Sequence, residues 1–380
     1  MSSRTAPDMR ALLLWYDEHR RALPWREEPS PYHVWLSEIM LQQTRVEAVL
    51  AYYRRFLSAL PDIAALAAAP EERVLKLWEG LGYYSRGRNL HSAAVRVMEE
   101  YGGEMPASQA ALQKLPGIGR YTSAAIASIA FGGRAAAVDG NLLRIFARLA
   151  GYGDNIRTGA ALKDAEAFWL EAMDRAAAEA AGTPAAAAAP GACGRNYYGD
   201  CNQALMDLGS AVCVPNAEPG CGACPFSDSC AAHAAHRERE FPVVPPRRQR
   251  RIEERTVFVI HNAECTALRR RPDRGLLAGL YELPNTEGKL EEKEALAYIR
   301  ELGLRPLHLR ALGPAVHFFT HLEWHMTGYE VRVDELEPAE AASPLLFVRS
   351  EDALRRYSIP SAFGTYYSLW QEPASAGSRR

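Results

Sequence analysis

The chain is short of several features that would place it quickly. It has no run of about eighteen apolar residues, so no segment reads as a membrane-spanning helix. Residues Met1 to Arg10 lack the apolar stretch of a secretory signal. Net charge is only −2, so no global field announces a polyanionic partner. A soluble, intracellular protein is the expectation. Nor is there a disulfide framework to read. The seven cysteines are odd in number, and four of them crowd between Cys213 and Cys230. That pattern reads as metal binding plus spare thiols at Cys193, Cys201 and Cys265.

The first 175 residues lack β-branched alternation and show helical spacing instead, as in Leu12, Leu13, Tyr16 and Leu23, or Trp35, Ile39, Leu41 and Val46. Breaks fall at Pro29–Pro31, Pro61, Gly102-Gly103, Pro116–Gly119 and Gly132-Gly133. This half reads as all-α. An Ala/Gly/Pro-rich stretch at 176–194 reads as a flexible surface insertion. A Pro/Arg linker at 237–251 follows the cysteines, and the character then changes. Thr256–Ile260, Tyr329–Val333 and Leu345–Val348 are strand-like, with a helical segment at Glu291–Leu302. The fold class is therefore multidomain: an all-α domain over 8–236 and an α+β domain over 252–372.

Charge is informative locally. Arg247-Arg248-Gln249-Arg250-Arg251 is strongly basic, and Arg134, Arg144 and Arg148 surround Asp139 in sequence. Such runs are usually solvated faces, with DNA contact the minority reading.

Leu115-Pro116-Gly117-Ile118-Gly119-Arg120 separates two helical segments, with Tyr121 opening the second. Two glycines one residue apart permit a tight turn and leave backbone N–H groups uncovered. With the positive end of the following helix, those donors can hold a phosphate oxygen regardless of base sequence. The whole string is the signature of a helix–hairpin–helix. Val138-Asp139-Gly140-Asn141 follows, where Asp139 is by itself a candidate N-cap. The spacing of the two motifs resembles the helix–hairpin–helix DNA glycosylase superfamily, whose essential aspartate lies at the place of Asp139. The resemblance covers nearly all of residues 8–230.

Several further strings resemble the adenine DNA glycosylase (MutY) family, in the family's order. They are Leu23-Pro-Trp25-Arg26, Leu36-Ser-Glu38-Ile-Met-Leu41-Gln-Gln43-Thr44, Gly80-Leu-Gly-Tyr83-Tyr84-Ser-Arg-Gly-Arg88-Asn89, and Asn202-Gln-Ala-Leu-Met-Asp207-Leu-Gly. The resemblance implies excision of adenine mispaired with 8-oxoguanine or guanine in double-stranded DNA. By the same resemblance, Glu38 protonates adenine N7, and Asp139, held by Asn141 and Tyr121, stays ionised and stabilises the sugar cation. Gln43 and Tyr83 would wedge into the base stack. Trp25, Arg26, Leu41 and Asp207 would line the base pocket. Leu115, Gly117, Gly119 and Arg120 would engage the DNA backbone. A cytoplasmic bacterial enzyme at the nucleoid is expected, monomeric and with no membrane partner.

Cys213, Cys221, Cys224 and Cys230 read C-x7-C-x2-C-x5-C, with one residue more in the first gap than the family usually has. Spacing alone suits zinc equally well. The resemblance implies a 4Fe–4S cluster that fixes a basic loop for DNA. Where glycosylases of the endonuclease III kind carry a Schiff-base lysine, this chain has Tyr121. A monofunctional glycosylase that leaves an abasic site follows.

The C-terminal domain resembles the Nudix fold in Gly275–Pro284 and Ile299–Leu304, yet glycine arrives two residues after Glu301 and the paired glutamates of a working metal box are missing. Hydrolysis there has no metal site, and the fold is expected to serve recognition. His317-Phe318-Phe319-Thr320-His321 resembles the family's F-S-H loop that inspects 8-oxoguanine. Threonine at 320 keeps the hydroxyl and adds a methyl. Three rival readings share parts of these features: a bifunctional glycosylase–lyase, a nucleotide pyrophosphohydrolase and a non-catalytic damage sensor. Tyr121, the broken Nudix box and the retention of Glu38 with Asp139 disfavour them in turn.

Overall fold

The computed structural model describes residues 7–181, 195–246, 249–262, 264–334 and 345–367. Cys193, Arg247, Arg248 and most of the 176–194 insertion lie outside them; residues 176–181 continue the helix Gly159–Ala181. Among the described residues no helix is long and apolar enough to cross a membrane.

The chain divides into two compact units, one of residues 1–68 and 89–246 and the other of 69–88 and 247–380. Among the described residues the first holds helices and no strands, as its periodicity predicts. A core of Tyr16, Phe146, Trp169, Met173, Leu205 and Leu208 joins the helices Met9–His19, Gly140–Ala150, Gly159–Ala181 and Tyr197–Ala211. Their starts are set by side-chain caps: Asp8 accepts from the N–H groups of Arg10 and Ala11, and Asn196 from that of Gly199. The helix Pro31–Leu41 starts on Ser30, with proline at its first position. It is buried continuously from Val34 to Met40, as a helix apolar on all sides must be.

The helix–hairpin–helix turn lies between the helices Gln109–Leu112 and Arg120–Phe131. Gly117 has φ +74°, and a Cβ added there would stand 2.7 Å from Asn89 Cβ. Gly119 is extended at φ −84° and has open space where a Cβ would go. The two glycines therefore meet different demands, one of backbone conformation and close approach, the other of access.

The second unit is built on a seven-stranded sheet. Its strands are β1 (Arg251–His261), β2 (Cys265–Arg270), β3 (Tyr281–Glu282), β4 (Asn285–Glu287), β5 (Pro306–Phe318), β6 (Leu322–Val333) and β7 (Leu345–Arg349). The order is β3-β2-β1-β6-β5, with β4 pairing β1 and β7 pairing β2. β1 and β6 run parallel, Val257 opposite Gly328. Alternation along β1 feeds two cores: Val257 and Val259 join Trp324, Met326 and Phe363, while Phe258 and Ile260 join Ile299, Tyr329 and Val331. The helix Glu292–Glu301, with a capping box from Glu291 and Glu294, covers the second face. All three strands and the helix expected from sequence are present; each strand is longer than expected, and the helix is one residue shorter at each end. The helix Glu71–Trp78, the loop after it and the first turn of the helix Ser85–Tyr101 belong to this unit, although their sequence places them in the first domain.

Gly117→Ala is expected to destabilise the protein by about 1–3 kcal/mol through strain and the Asn89 clash. Gly119→Ala should stay within about 0.5 kcal/mol of wild type in folding stability. Urea unfolding of both variants checks this; equal losses would refute the distinction.

Candidate active site

Glu38 sits in the middle of the buried helix Pro31–Leu41 and is 6% exposed. Tyr121, the second residue of the helix Arg120–Phe131, donates its hydroxyl to Glu38 Oε2 at 2.7 Å. Burial raises the Glu38 pKa to about 7; the Tyr121 hydrogen bond opposes the rise, the Asp139 charge adds to it and Arg26 lowers it. A carboxyl in this position holds its proton close to neutral pH.

Asp139 caps the helix Gly140–Ala150. Its Oδ1 accepts from the N–H groups of Asn141 and Leu142, both at 2.8 Å, and its Oδ2 from Asn141 Nδ2 at 2.9 Å. Burial pushes its pKa up, opposed by the Leu142 and Asn141 hydrogen bonds and by Arg144. Two carboxyl groups thus occupy one site with different support. Glu38 has a single hydroxyl donor, whereas Asp139 has three N–H donors and a helix N-terminus that favour negative charge. The sequence reading had Asn141 and Tyr121 together holding Asp139. Asn141 does so, but Tyr121 turns its hydroxyl to Glu38, because it projects from a different helix toward the uncompensated carboxyl.

Both carboxyl groups open on a cavity of about 340 Å³, lined also by Trp25, Arg26, Leu41, Tyr121 and Asn141. Four residues expected at the base pocket included Asp207, which is not among the lining residues. It lies behind Arg26, 2% exposed, and accepts from Arg26 Nη1 at 2.7 Å and Nη2 at 3.1 Å. Arg21 Nε also donates to it, at 2.7 Å. Asp207 therefore fixes two guanidinium groups instead of offering a wall. Arg21, Gln203 and Met206 line the cavity and were missed. Gln203 precedes Asp207 by one helical turn, and that spacing was the available signal; Met206, its immediate neighbour, had none.

Cys213, Cys221, Cys224 and Cys230 line one cavity with Ile145, Arg148 and Phe226. All four are free thiols, and burial with the neighbouring sulfurs pushes Cys224 up to about 11. Gathering four thiolates in such a cavity is unfavourable unless a cation compensates them, so the donor set fits a thiolate-bound metal or cluster. His233 and Glu238 stand beside them: His233 Nδ1 is 2.7 Å from Glu238 Oε1, and these two with Cys221 present ligand atoms within 4.8 Å of one another. Sequence reasoning passed over both. Cys201 is a fully buried core thiol.

The model for HhH-GPD superfamily base excision DNA repair proteins matches residues 36–170, and the NUDIX domain model matches 256–369. The adenine DNA glycosylase of Mus musculus is 35% identical to this chain, covering 88% of it and 72% of the mouse protein. That of Homo sapiens is 31% identical, covering 97% and 76%. The chain belongs to the adenine DNA glycosylase family. A solved thermostable thymine-DNA glycosylase is also similar, at 27% identity and a TM-score of 0.48, covering 60% of this chain and 94% of that one.

Within this adenine DNA glycosylase, the residues expected to meet DNA divide by unit. In the first, Gln43 is exposed and has φ +59°. Leu115 is buried, so only its backbone is offered, and Arg120 is ion-paired with Glu166. Arg144 and Arg148 prove to be internal. Arg144 donates to Asn141 Oδ1 at 2.9 Å and to the Cys213 carbonyl at 2.8 Å; Arg148 donates to Cys213 Sγ at 3.2 Å. Arg134 pairs with Asp174. In the second unit, Phe319, Thr320 and His321 form the β5–β6 turn, closed by Phe319 N–H to the Leu322 carbonyl at 2.9 Å. The Phe319 ring packs edge-on against Trp324, 4.9 Å between centroids. Tyr83, φ +47°, places its hydroxyl 2.9 Å from Thr320 Oγ1.

Asp207→Asn leaves Arg26 facing a neutral partner at a site where it is 11% exposed. A loss of about 3 kcal/mol of folding stability is expected, the low end for a broken buried pair because Arg21 keeps much solvent contact. A thermal midpoint within a degree of wild type would rule this out.

Proposed function

We infer that this adenine DNA glycosylase removes adenine opposite 8-oxoguanine or guanine in duplex DNA, and that it is monofunctional. The observation that carries the reading is the paired but unequal support of Glu38 and Asp139 on one cavity. Adenine inside a duplex is out of reach, so it must be extruded into that cavity. Trp25, Arg26 and Leu41 would contact the flipped base.

Cleaving the glycosidic bond needs a proton on the leaving base and negative charge beside the developing sugar cation. Neutral Glu38 donates its proton to adenine N7, and Tyr121 orients the carboxyl for that transfer. Asp139, its oxygens held by Asn141 and Leu142, stays ionised and faces the cation. Water then completes hydrolysis at C1′ and leaves an abasic site. Tyr121 offers no amine for a Schiff base, which supports the monofunctional reading.

Cys213, Cys221, Cys224 and Cys230 would hold a 4Fe–4S cluster. When bound, it would supply a rigid anchor, held by the four thiolates, for the 213–230 loop. Arg148 ties that loop to the helix Gly140–Ala150, which begins at Asp139. Thr320 and Tyr83 would read the base opposite adenine, and the protein would act as a monomer.

A duplex with one 8-oxoguanine:adenine pair, labelled on the adenine strand, tests the chemistry. Scission only after alkali is expected from wild type, whereas scission without alkali would mean a lyase. Asp139→Asn should bind this duplex and excise nothing; an active variant removes Asp139 from the mechanism. Single-turnover rates should fall as pH rises through about 7, where Glu38 loses its proton. Tyr121→Phe removes a hydrogen bond that lowers the Glu38 pKa, so its alkaline limb should move to higher pH. A limb that stays in place or moves down would contradict the role given to Tyr121.

A further inference from the structure

The segment 69–88 is held in the second unit by contacts that sequence gives no hint of. Lys76 Nζ donates to the carbonyls of Leu354, at 2.5 Å, and Tyr357, at 3.3 Å, and is ion-paired with Glu79. Glu79 Oε1 in turn accepts the Ile359 N–H at 3.2 Å. Those three acceptors and donors lie at and just past the end of the helix Ser350–Arg356, where carbonyls would otherwise lack partners. Arg88 donates to the Ala278 carbonyl at the other end of the segment.

Between these anchors the chain carries Tyr83. Its left-handed backbone is strained for a side chain of this size. Trp78 Nε1 donates to the Gly82 carbonyl at 3.2 Å, and Arg86 to the carbonyls of Leu81 and Gly82 at 3.0 and 3.1 Å. Arg86 also lies over both the Trp78 and Tyr83 rings, at 5.5 and 5.6 Å. The loop is thus stiff, and its placement is decided where its ends are fixed. Tyr83 remains 48% exposed, with its hydroxyl on Thr320.

We propose that Lys76 and Glu79 are positioning residues for lesion discrimination: they clamp the 69–88 segment to the Leu354–Ile359 backbone and so set the Tyr83–Thr320 hydrogen bond. This rests on the reading that Thr320 and Tyr83 inspect the base opposite adenine. The β-branched Thr320 has a restricted χ1, so its hydroxyl has few alternative directions and depends on where Tyr83 meets it. Displacement of the tyrosine would take from the Thr320 hydroxyl the partner that fixes its hydrogen-bonding role, weakening the choice of 8-oxoguanine over guanine.

The test measures single-turnover excision by the full chain from 8-oxoguanine:adenine and guanine:adenine duplexes, and takes the ratio of rates. A wild-type ratio near one would refute the underlying reading itself, independently of the clamp. Given a wild-type preference, Lys76→Met should lower the ratio about fivefold or more, the size of coupling seen for residues in one hydrogen-bond network. Glu79→Met should do the same, and serves if the lysine variant fails to fold. Tyr83→Phe removes the hydroxyl through which the clamp acts. Adding Lys76→Met to Tyr83→Phe should then leave the ratio within about twofold of Tyr83→Phe alone. Equal rate losses on both duplexes, an unchanged ratio, or independent effects in the double variant would each overturn the proposal.

Discussion

Burying a carboxyl group within an apolar helix is the constraint on which the first unit depends. Glu38 is surrounded along its own helix by Trp35, Leu36, Ile39 and Met40, and burial favours its neutral form. A neutral carboxyl still needs a partner, and one phenol supplies it. Additional N–H donors would pull the pKa back down and defeat the arrangement. Asp139 is treated in the opposite way. It is buried as well, but it takes the cap of a helix and the amide of Asn141, all of which favour the anion. The environments diverge, and the acid and base roles proposed for the two carboxyl groups rest on that divergence.

How much of this was legible in the sequence depended on distance along the chain. Glu38 and Asp139 stand inside short strings whose pattern identifies them, and Asn141 is two residues from its partner. Tyr121 was legible as a position but not as a contact: 83 residues separate it from Glu38, and either carboxyl was a plausible acceptor. Asp207 failed for a related reason. Position on a helix shows which face a residue takes, but not whether a carboxylate there meets a base or a guanidinium. Arg144 and Arg148 read as surface charge because arginine usually is. Each is instead buried at a junction of backbone carbonyls, and four-residue spacing was their only local mark.

The sheet was easier to anticipate than its boundary. Alternation at Val257–Ile260 follows from a strand with a core on each face, and the capping box at Glu291 and Glu294 fixes the helix over one of them. No sequence pattern shows that residues 69–88 belong with this sheet, since their own periodicity is helical. Lys76 and Arg88 donate to backbone carbonyls there and Glu79 accepts a backbone N–H, and backbone groups carry no sequence signature.

Gln43 and Tyr83 share an uncommon backbone conformation. Both are non-glycine residues with positive φ, and both are exposed. Strain of this kind costs on the order of 1–3 kcal/mol and persists only where neighbours over-determine the backbone. Glycine would relieve it, yet glycine has no side chain to present. At Tyr83 the over-determination is visible in Gly80 and Gly82, which absorb the turn, and in Arg86, which ties the loop carbonyls together. At Gln43 the turn closes through Thr44 N–H to the Leu41 carbonyl at 3.2 Å, and Gln42 bonds Thr122. The surrounding structure holds a side chain outward in each case at a place where the backbone alone would favour its removal.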